Sequence, residues 1–251
     1  MNKNSNIYML GYSAIMVVVV AVLLAVASLS LKPIQEENVR IEKMLDILRS
    51  VGQGADAEKA RDKAKYVTEQ YDRYIVDSYG VNMQGDRVEG ADAFQLLINL
   101  KGEYDKPEAE RTLPLFVSRA DNGQEFYILP VWGVGLWGPI WGYVAFESDW
   151  DTICGVVFDH KGETPGLGAE ITTEDFTKQF KGKTIHEHAT LVSVSVLKGA
   201  GASAGNAHAV DAISGGTITS RGVEMMLRNC LCGYRAYIDK QMENGELKIE
   251  N

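Results

Sequence analysis

Cysteine is scarce in this chain: three in 251 residues, too few for a disulfide framework. Cys154 sits in the apolar run Ile153-Cys154-Gly155-Val156-Val157-Phe158 and reads as a buried strand residue. Cys230 and Cys232 are two apart on a predicted helix, so they point to roughly opposite sides and make a poor pair for a bond or a shared metal. Basic residues are also in deficit, 25 Lys and Arg against 34 Asp and Glu. The resulting net charge of −9 disfavours nucleic-acid binding. It names no partner, because acidity equally suits plain solubility. Histidines number four. His186-Glu187-His188 is not the helical His-Glu-x-x-His motif and lacks a clear third ligand, so both histidines are expected to face solvent and no metal is expected. No Ser-His-Asp or Cys-His order can be assembled into a nucleophilic site, and neither a repeat nor a low-complexity tract is present.

Charge and proline are both missing from Ile7 to Leu31, which carries the cluster Val17-Val18-Val19-Val20-Ala21-Val22-Leu23-Leu24. The run exceeds the roughly 20 apolar residues that cross a bilayer. Ala25-Val26-Ala27 fits a small-x-small cleavage pattern, but the apolar region is longer than that of a signal peptide, and only Lys3 precedes it. A retained anchor is the better reading. Its uniformity, with no polar face, disfavours a buried core helix. Charge does not orient it. Lys32, Arg40 and Lys43 follow the run while Lys3 precedes it, so the positive-inside rule on its own places the rest of the chain in the cytoplasm.

After Pro33, Ile41, Met44, Leu45 and Leu48 recur at helical spacing up to Ser50, and a second helix is expected from Asp56 to about Tyr74. From about Ala93 the texture changes to short β-rich runs bounded by Gly, Pro and Asp. Strands are expected at Leu113 to Ser118, Glu125 to Pro130, Ile140 to Glu147, Thr152 to Phe158 and Thr190 to Leu197. Helices are expected at Thr173 to Phe180 and Ser220 to Tyr237, and the polar tail from Glu243 is expected to fray. Short turns such as Asp121-Asn122-Gly123 suit antiparallel pairing. The expected class is α+β, with a single N-terminal transmembrane helix followed by a mostly antiparallel sheet domain with flanking helices.

The chemistry concentrates in Asp211-Ala212-Ile213-Ser214-Gly215-Gly216-Thr217-Ile218-Thr219-Ser220-Arg221-Gly222-Val223. Two glycines permit close approach to the backbone. Thr219 or Ser220 is a candidate cap for the helix whose apolar positions are Val223, Met226, Leu227 and Cys230. A helix N-terminus offers free N–H groups and the positive end of the dipole, and Arg221 adds a charge for an anion such as phosphate. The run lacks the lysine and spacing of a P-loop. Spacing alone leaves a phosphate site and an ordinary capped loop both open.

Asp211 to Thr217 resembles the flavinylation motif of FMN-binding domains, in which the last Ser/Thr hydroxyl is esterified to the FMN phosphate. Thr217 is the matching position; Gly216 stands where that motif usually has Ala. Glu163-Thr164-Pro165-Gly166-Leu167-Gly168 is similar to the Glu-Thr-Pro-Gly-Leu-Gly element of the same domains. Gly135-Leu136-Trp137-Gly138 is similar to their Gly-Leu-Trp-Gly turn. With the N-terminal span, this order resembles the C subunits of sodium-translocating NADH:quinone oxidoreductases over almost the whole chain.

The resemblance implies covalent FMN through its phosphate on Thr217, with Ser214, Gly215, Gly216 and Thr219 around it. It implies that Thr164, Pro165, Gly166, Leu167 and Gly168, together with Trp137, lie near the ring, so that FMN and no protein side chain carries the redox chemistry. It also implies the following organisation: residues 1–32 a short cytoplasmic tip and transmembrane helix, 33–92 a helical connection, 93–240 the FMN-binding domain and 241–251 a polar tail. The implied location is the bacterial inner membrane with the domain in the periplasm. Implied partners are the other membrane subunits of the oxidoreductase, a flavin transferase during maturation, and membrane lipid. The chain alone is then expected neither to oxidise NADH nor to move sodium. The FMN subunit of an Rnf-type ferredoxin:NAD oxidoreductase is the alternative within the class. A non-redox membrane-anchored assembly protein is the alternative outside it, and flavin content separates the two classes.

Overall fold

The structure, a computed structural model, describes residues 6–188 and 190–249. Residues 1–5 of the expected tip and the last two residues of the expected tail lie outside that description. The first helix, α1 (Asn6–Ser50), runs without interruption through Pro33. Proline costs one intrahelical bond, which the strong helix formers on either side outweigh. Contacts divide the chain within α1 into two compact units, Met1–Lys43 and Met44–Asn251. In the first unit the apolar side chains from Met9 to Leu31 are exposed. The helix has a mean hydropathy of 2.9 over its most apolar window and is long enough to cross a membrane.

The second unit is built on a six-stranded antiparallel sheet. Its strands are β1 (Ile75–Asn82), β2 (Arg87–Val88), β3 (Thr112–Arg119), β4 (Glu125–Val134), β5 (Pro139–Phe146) and β6 (Ile153–His160), arranged in the order β2-β1-β3-β4-β5-β6. Two small pairs lie outside it: β7 (His186–Glu187) with β8 (Thr190–Leu191), and β9 (Ser195–Leu197) parallel to β10 (Ala209–Asp211). The remaining helices are α2 (Lys63–Tyr74), α3 (Ala93–Ile98), α4 (Leu100–Asp105), α5 (Glu174–Thr177) and α6 (Thr217–Ile249). Asp62 caps α2 by accepting from the Lys65 N–H, and Asp92 caps α3 by accepting from Phe94 and Gln95.

The period of two along the strands sorts the core onto two faces. Leu113, Leu115 and Val117 of β3, Leu129 and Val131 of β4, and Val144 and Phe146 of β5 pack with Val223, Met226, Leu227, Leu231 and Tyr234 of α6. Phe116, Ile128, Tyr143 and Ala145 point to the other face, with Ile47, Ala93 and Leu97. The β3–β4 pairing runs from Arg119↔Glu125 to Phe116↔Ile128. Beyond it come Pro114 and Pro130, which have no N–H to donate. The buried Tyr234 hydroxyl enters there from α6 and donates to the Pro114 carbonyl at 2.7 Å.

Several expectations change. The stretch from Ile75 to Val88, assigned to a helical connection, supplies β1 and β2, because Tyr79 and Val81 are buried in the sheet's core. The helix expected from Asp56 is a 3-10 turn at Ala57–Lys59 followed by α2. The strand expected from Thr190 to Leu197 divides into β8 and β9. Ser193 adopts φ 65° between them, and the amides of Val192 and Ser193 both turn to the Ile185 carbonyl. The helix expected at Thr173 to Phe180 divides into α5 and a 3-10 turn at Lys178–Phe180. The last helix begins at Thr217 and continues to Ile249 rather than ending at Tyr237, because Ile238 is buried and Met242 packs against the core.

Phe158, Phe176 and Phe180 form a cluster of tilted and edge-on rings, with Phe180 centroids 5.3 and 5.4 Å from the other two. Phe180→Ala should cost about 3–5 kcal/mol by leaving a cavity. Tyr234→Phe, which removes one buried hydrogen bond, should cost about 1 kcal/mol. Urea unfolding of the detergent-solubilised chain ranks the two; a larger loss for Tyr234→Phe would show that the hydroxyl, not the ring cluster, dominates this face.

Candidate functional site

Three loops far apart in sequence converge on one side chain, Glu163, which is 4% exposed. The first is the hairpin between β4 and β5, closed by Gly135 N–H donating to the Gly138 carbonyl at 2.8 Å. Its Trp137 N–H donates to Glu163 Oε1 at 2.8 Å. The second is the turn after β6, where Glu163's own N–H donates to His160 Nδ1 at 3.2 Å. The third is the start of α6, where the buried Thr219 hydroxyl donates to Glu163 Oε2 at 2.6 Å. Both carboxylate oxygens are thus occupied by donors, and one from each neighbouring loop fixes the three relative to one another.

Glycine makes this convergence possible. A Cβ on Gly135 would stand 2.5 Å from Glu163 Oε1, and one on Gly168 would stand 2.5 Å from Thr219 Oγ1. One turn further along α6, a Cβ on Gly222 would lie 2.5 Å from the Val134 carbonyl. Gly215 adopts φ 77° and Gly166 φ 76°, left-handed conformations that other residues seldom adopt.

The helix cap differs from the expected one. Gly216 is the capping residue, since its carbonyl accepts the Ser220 N–H at 2.9 Å. Neither Thr219 nor Ser220 caps: Thr219 turns to Glu163, and Ser220 Oγ accepts from the Ile213 N–H at 3.1 Å, closing the loop ahead of the helix. Thr217 is therefore the first residue of α6; it is exposed, and its hydroxyl makes no hydrogen bond within the described residues. Ser214 and Gly215 are exposed beside it, while Gly216 is buried. Arg221, four residues on and exposed, shares its face of the helix. Asp211 serves the preceding loop: its carboxylate accepts from the Ser203 and Gly201 amides, which hold it below the usual carboxylate range.

In the turn at Thr164 to Gly168 the amides are largely committed. Leu167 and Ala169 donate to the Thr164 carbonyl, each at 3.1 Å, and Gly166 donates to Glu170 Oε1 at 2.9 Å. What the turn offers outward is the Leu167 side chain, 42% exposed, more than free backbone donors. Trp137 is 69% exposed, unlike Trp150, which is buried. Val134, Leu136, Ile218 and Met225 are also exposed on these segments; elsewhere in the second unit, among large apolar side chains of the described residues, the exposed ones are Val76 and Ile98.

An FMN phosphate and ring fit these residues. The first-turn N–H groups of α6 lack intrahelical acceptors, the dipole and Arg221 favour an anion, and Ser214 and Gly215 are exposed beside a free hydroxyl. The indole of Trp137 and the Leu167 side chain supply exposed apolar faces of the kind a flat ring system covers. Glu163 itself was not among the sequence candidates. Its only signal was its place at the head of the Glu-Thr-Pro-Gly-Leu-Gly element.

His186 is buried instead of solvent-facing, because the Asp151 carboxylate accepts from its backbone N–H at 2.8 Å and lies 3.0 Å from its Nδ1. His188 is exposed. Cys154 is half-buried in β6, and burial pushes its thiol up to about 12; Cys230 is buried, with its thiol raised to about 11.

Residues 135–232 match the FMN-binding domain family, a range that opens at the hairpin and closes within α6. Over 231 residues the chain is 34% identical to one of the Na(+)-translocating NADH-quinone reductase C subunits, that of Neisseria meningitidis serogroup B, covering 85% of this chain and 87% of that protein. The protein of the same name from Pseudomonas aeruginosa is 29% identical over 238 residues, 90% of this chain and 91% of that one. Among solved structures, the protein of that name from Parabacteroides distasonis superposes with a TM-score of 0.71 at 39% identity, covering 83% of this chain and 96% of that chain. NqrC of Shewanella oneidensis superposes with a TM-score of 0.65 at 25% identity, covering 82% and 98%.

The two close-packed glycines should respond differently to a methyl group. Gly168→Ala drives a Cβ into the Glu163–Thr219 pair and should cost about 1–3 kcal/mol. Gly216→Ala meets Ile213 Cγ2 at 3.0 Å and the Leu167 carbonyl at 3.1 Å, contacts that shifts of a few tenths of an ångström in Ile213 and in the Leu167 turn relieve, so the loss should stay within about 1 kcal/mol. Thermal unfolding of both variants checks the order, and equal losses would mean that the Glu163 pair yields as easily as Ile213.

Proposed function

Since the chain belongs to the family of Na(+)-translocating NADH-quinone reductase C subunits, we propose that it holds FMN covalently at Thr217, anchored to the bacterial inner membrane, as an electron-relaying subunit. The observation that carries the reading is the free, exposed Thr217 hydroxyl at the N-terminus of α6, beside Gly215 and Gly216 and in the same convergence as Trp137 and Leu167. The buried alternative, Thr219, has its hydroxyl engaged by Glu163.

In this reading the first-turn amides of α6 and Arg221 stabilise the phosphate diester, and Ser214 and the two glycines keep bulk away from it. Trp137 and Leu167 flank the ring, with Thr164, Pro165, Gly166 and Gly168 shaping the turn that presents Leu167. Attachment through phosphate leaves the ring system chemically free, and the bound flavin supplies the one-electron redox chemistry. The protein's part is to position it. Electrons enter from and leave to other membrane subunits of the oxidoreductase, and a flavin transferase makes the ester during maturation. The apolar side chains of α1 face lipid as a single retained span, with the large domain in the periplasm.

Thr217→Ala, produced with the transferase, should give a colourless protein without the FMN mass; in-gel fluorescence persisting in that variant would move the attachment to another hydroxyl. Leu167→Lys should keep the flavin while changing its redox titration through a new charge beside the ring, and an unaltered titration would remove Leu167 from the site. Protease added to spheroplasts should degrade the domain and spare cytoplasmic markers. A mature N-terminus at Ser28 would overturn the anchor.

A further inference from the structure

The Glu163 carboxylate is buried, accepts two hydrogen bonds from neutral donors, and makes no ion pair among the described residues. A buried polar group of this kind persists where its geometry is fully satisfied. Its two donors belong to the two loops that carry the ring-facing indole and the attachment hydroxyl. The charge sits directly under the Trp137 backbone, in a surrounding of low dielectric, packed against Gly135 and Gly168.

From this arrangement we propose that Glu163 is a positioning residue whose negative charge holds the flavin at a lower reduction potential than the same site would without it. The inference rests on the functional reading above, in which the ring lies against Trp137 and Leu167. Adding electrons to the ring adds negative charge, and a fixed carboxylate nearby opposes that addition. The hydrogen bonds keep the carboxylate close: one draws it to the Trp137 turn, and the other to the first turn of α6. Glu163 makes no described contact with the Thr217 hydroxyl, so it acts through these loops and through its charge.

The test compares Glu163→Gln, which keeps the shape and removes the charge, with Glu163→Asp, which keeps the charge and shortens the reach. Each full-length chain is produced with the transferase, purified in detergent, weighed intact and titrated by its flavin absorbance. The expected result is FMN mass on both variants, a potential shifted positive in Glu163→Gln, and a smaller shift in Glu163→Asp. A wild-type potential in Glu163→Gln overturns the proposal. So does a shift in Glu163→Asp as large as that in Glu163→Gln, which marks a loosened site rather than a lost charge. Loss of FMN from a folded Glu163→Gln chain overturns it too, since Thr217 lies outside both hydrogen bonds. Should Glu163→Gln fail to fold, Thr219→Val and Glu163→Asp decide, since each loosens the contact while the charge remains: a potential near wild type in both supports the role, and a large positive shift in either marks a loosened site and overturns it. Wild-type protein without the FMN mass would instead defeat the functional reading, and this proposal with it.

Discussion

A single buried carboxylate ties the working end of this protein together. Glu163 accepts from the hairpin at Trp137 and from α6 at Thr219, and its own amide donates to His160 at the end of β6. Each of these loops lies on the surface, where backbone freedom is ordinarily large and ordering it costs about 1–2 kcal/mol per residue. Hydrogen bonds to a charged acceptor in a dry setting are among the stronger ones available to offset that cost. The glycines at 135 and 168 are the steric condition for it, because any side chain there would occupy the space of the carboxylate or its donor.

The sheet supplies the rigid frame to which these loops are fixed. α6 lies across β4 through Val223, Met226, Leu227 and Cys230, and the Cys230 thiol donates to the Trp132 carbonyl at 3.3 Å. Where Pro114 and Pro130 interrupt the ladder, the Tyr234 hydroxyl substitutes for a missing backbone donor. The N-terminus of α6 is therefore set by packing along the helix and by the Glu163 bond at its first turn. That places an exposed hydroxyl, a helix dipole and an arginine on one side of a stable element, a better support for a cofactor than a free loop.

Exposure is distributed unevenly, and the distribution carries meaning. In the second unit the large apolar side chains left in solvent are concentrated on the segments that surround Glu163, with Val76 and Ile98 the exceptions among the described residues. In the first unit they form the continuous surface of α1. Leaving apolar surface in water is unfavourable at roughly 25 cal/mol per Å². Both patches therefore read as surfaces made for something other than water: the α1 surface suits a lipid phase, and the segments around Glu163 suit the flat ring system of the proposed function.

The local features were legible in the sequence because their physics is local. The uncharged run from Ile7 to Leu31 declares its solvent preference by composition, the strands from β3 to β6 announce themselves by β-branched runs between turns, and the three glycine-rich motifs stand out with their threonines and tryptophan. The tertiary structure decided what depends on partners distant in the chain. Ile75 to Asn82 became a strand because β3 was there to pair with it, and His186 went inside because Asp151 met it. Thr219 exchanged the role of helix cap for a bond to a residue in another loop, leaving the carbonyl of Gly216 to begin the helix and Thr217 free at its end. Composition and period report what each segment prefers in isolation. Which buried donor meets which acceptor is set by the packing of segments far apart in the chain, and that order exists only once the sheet and α6 have come together.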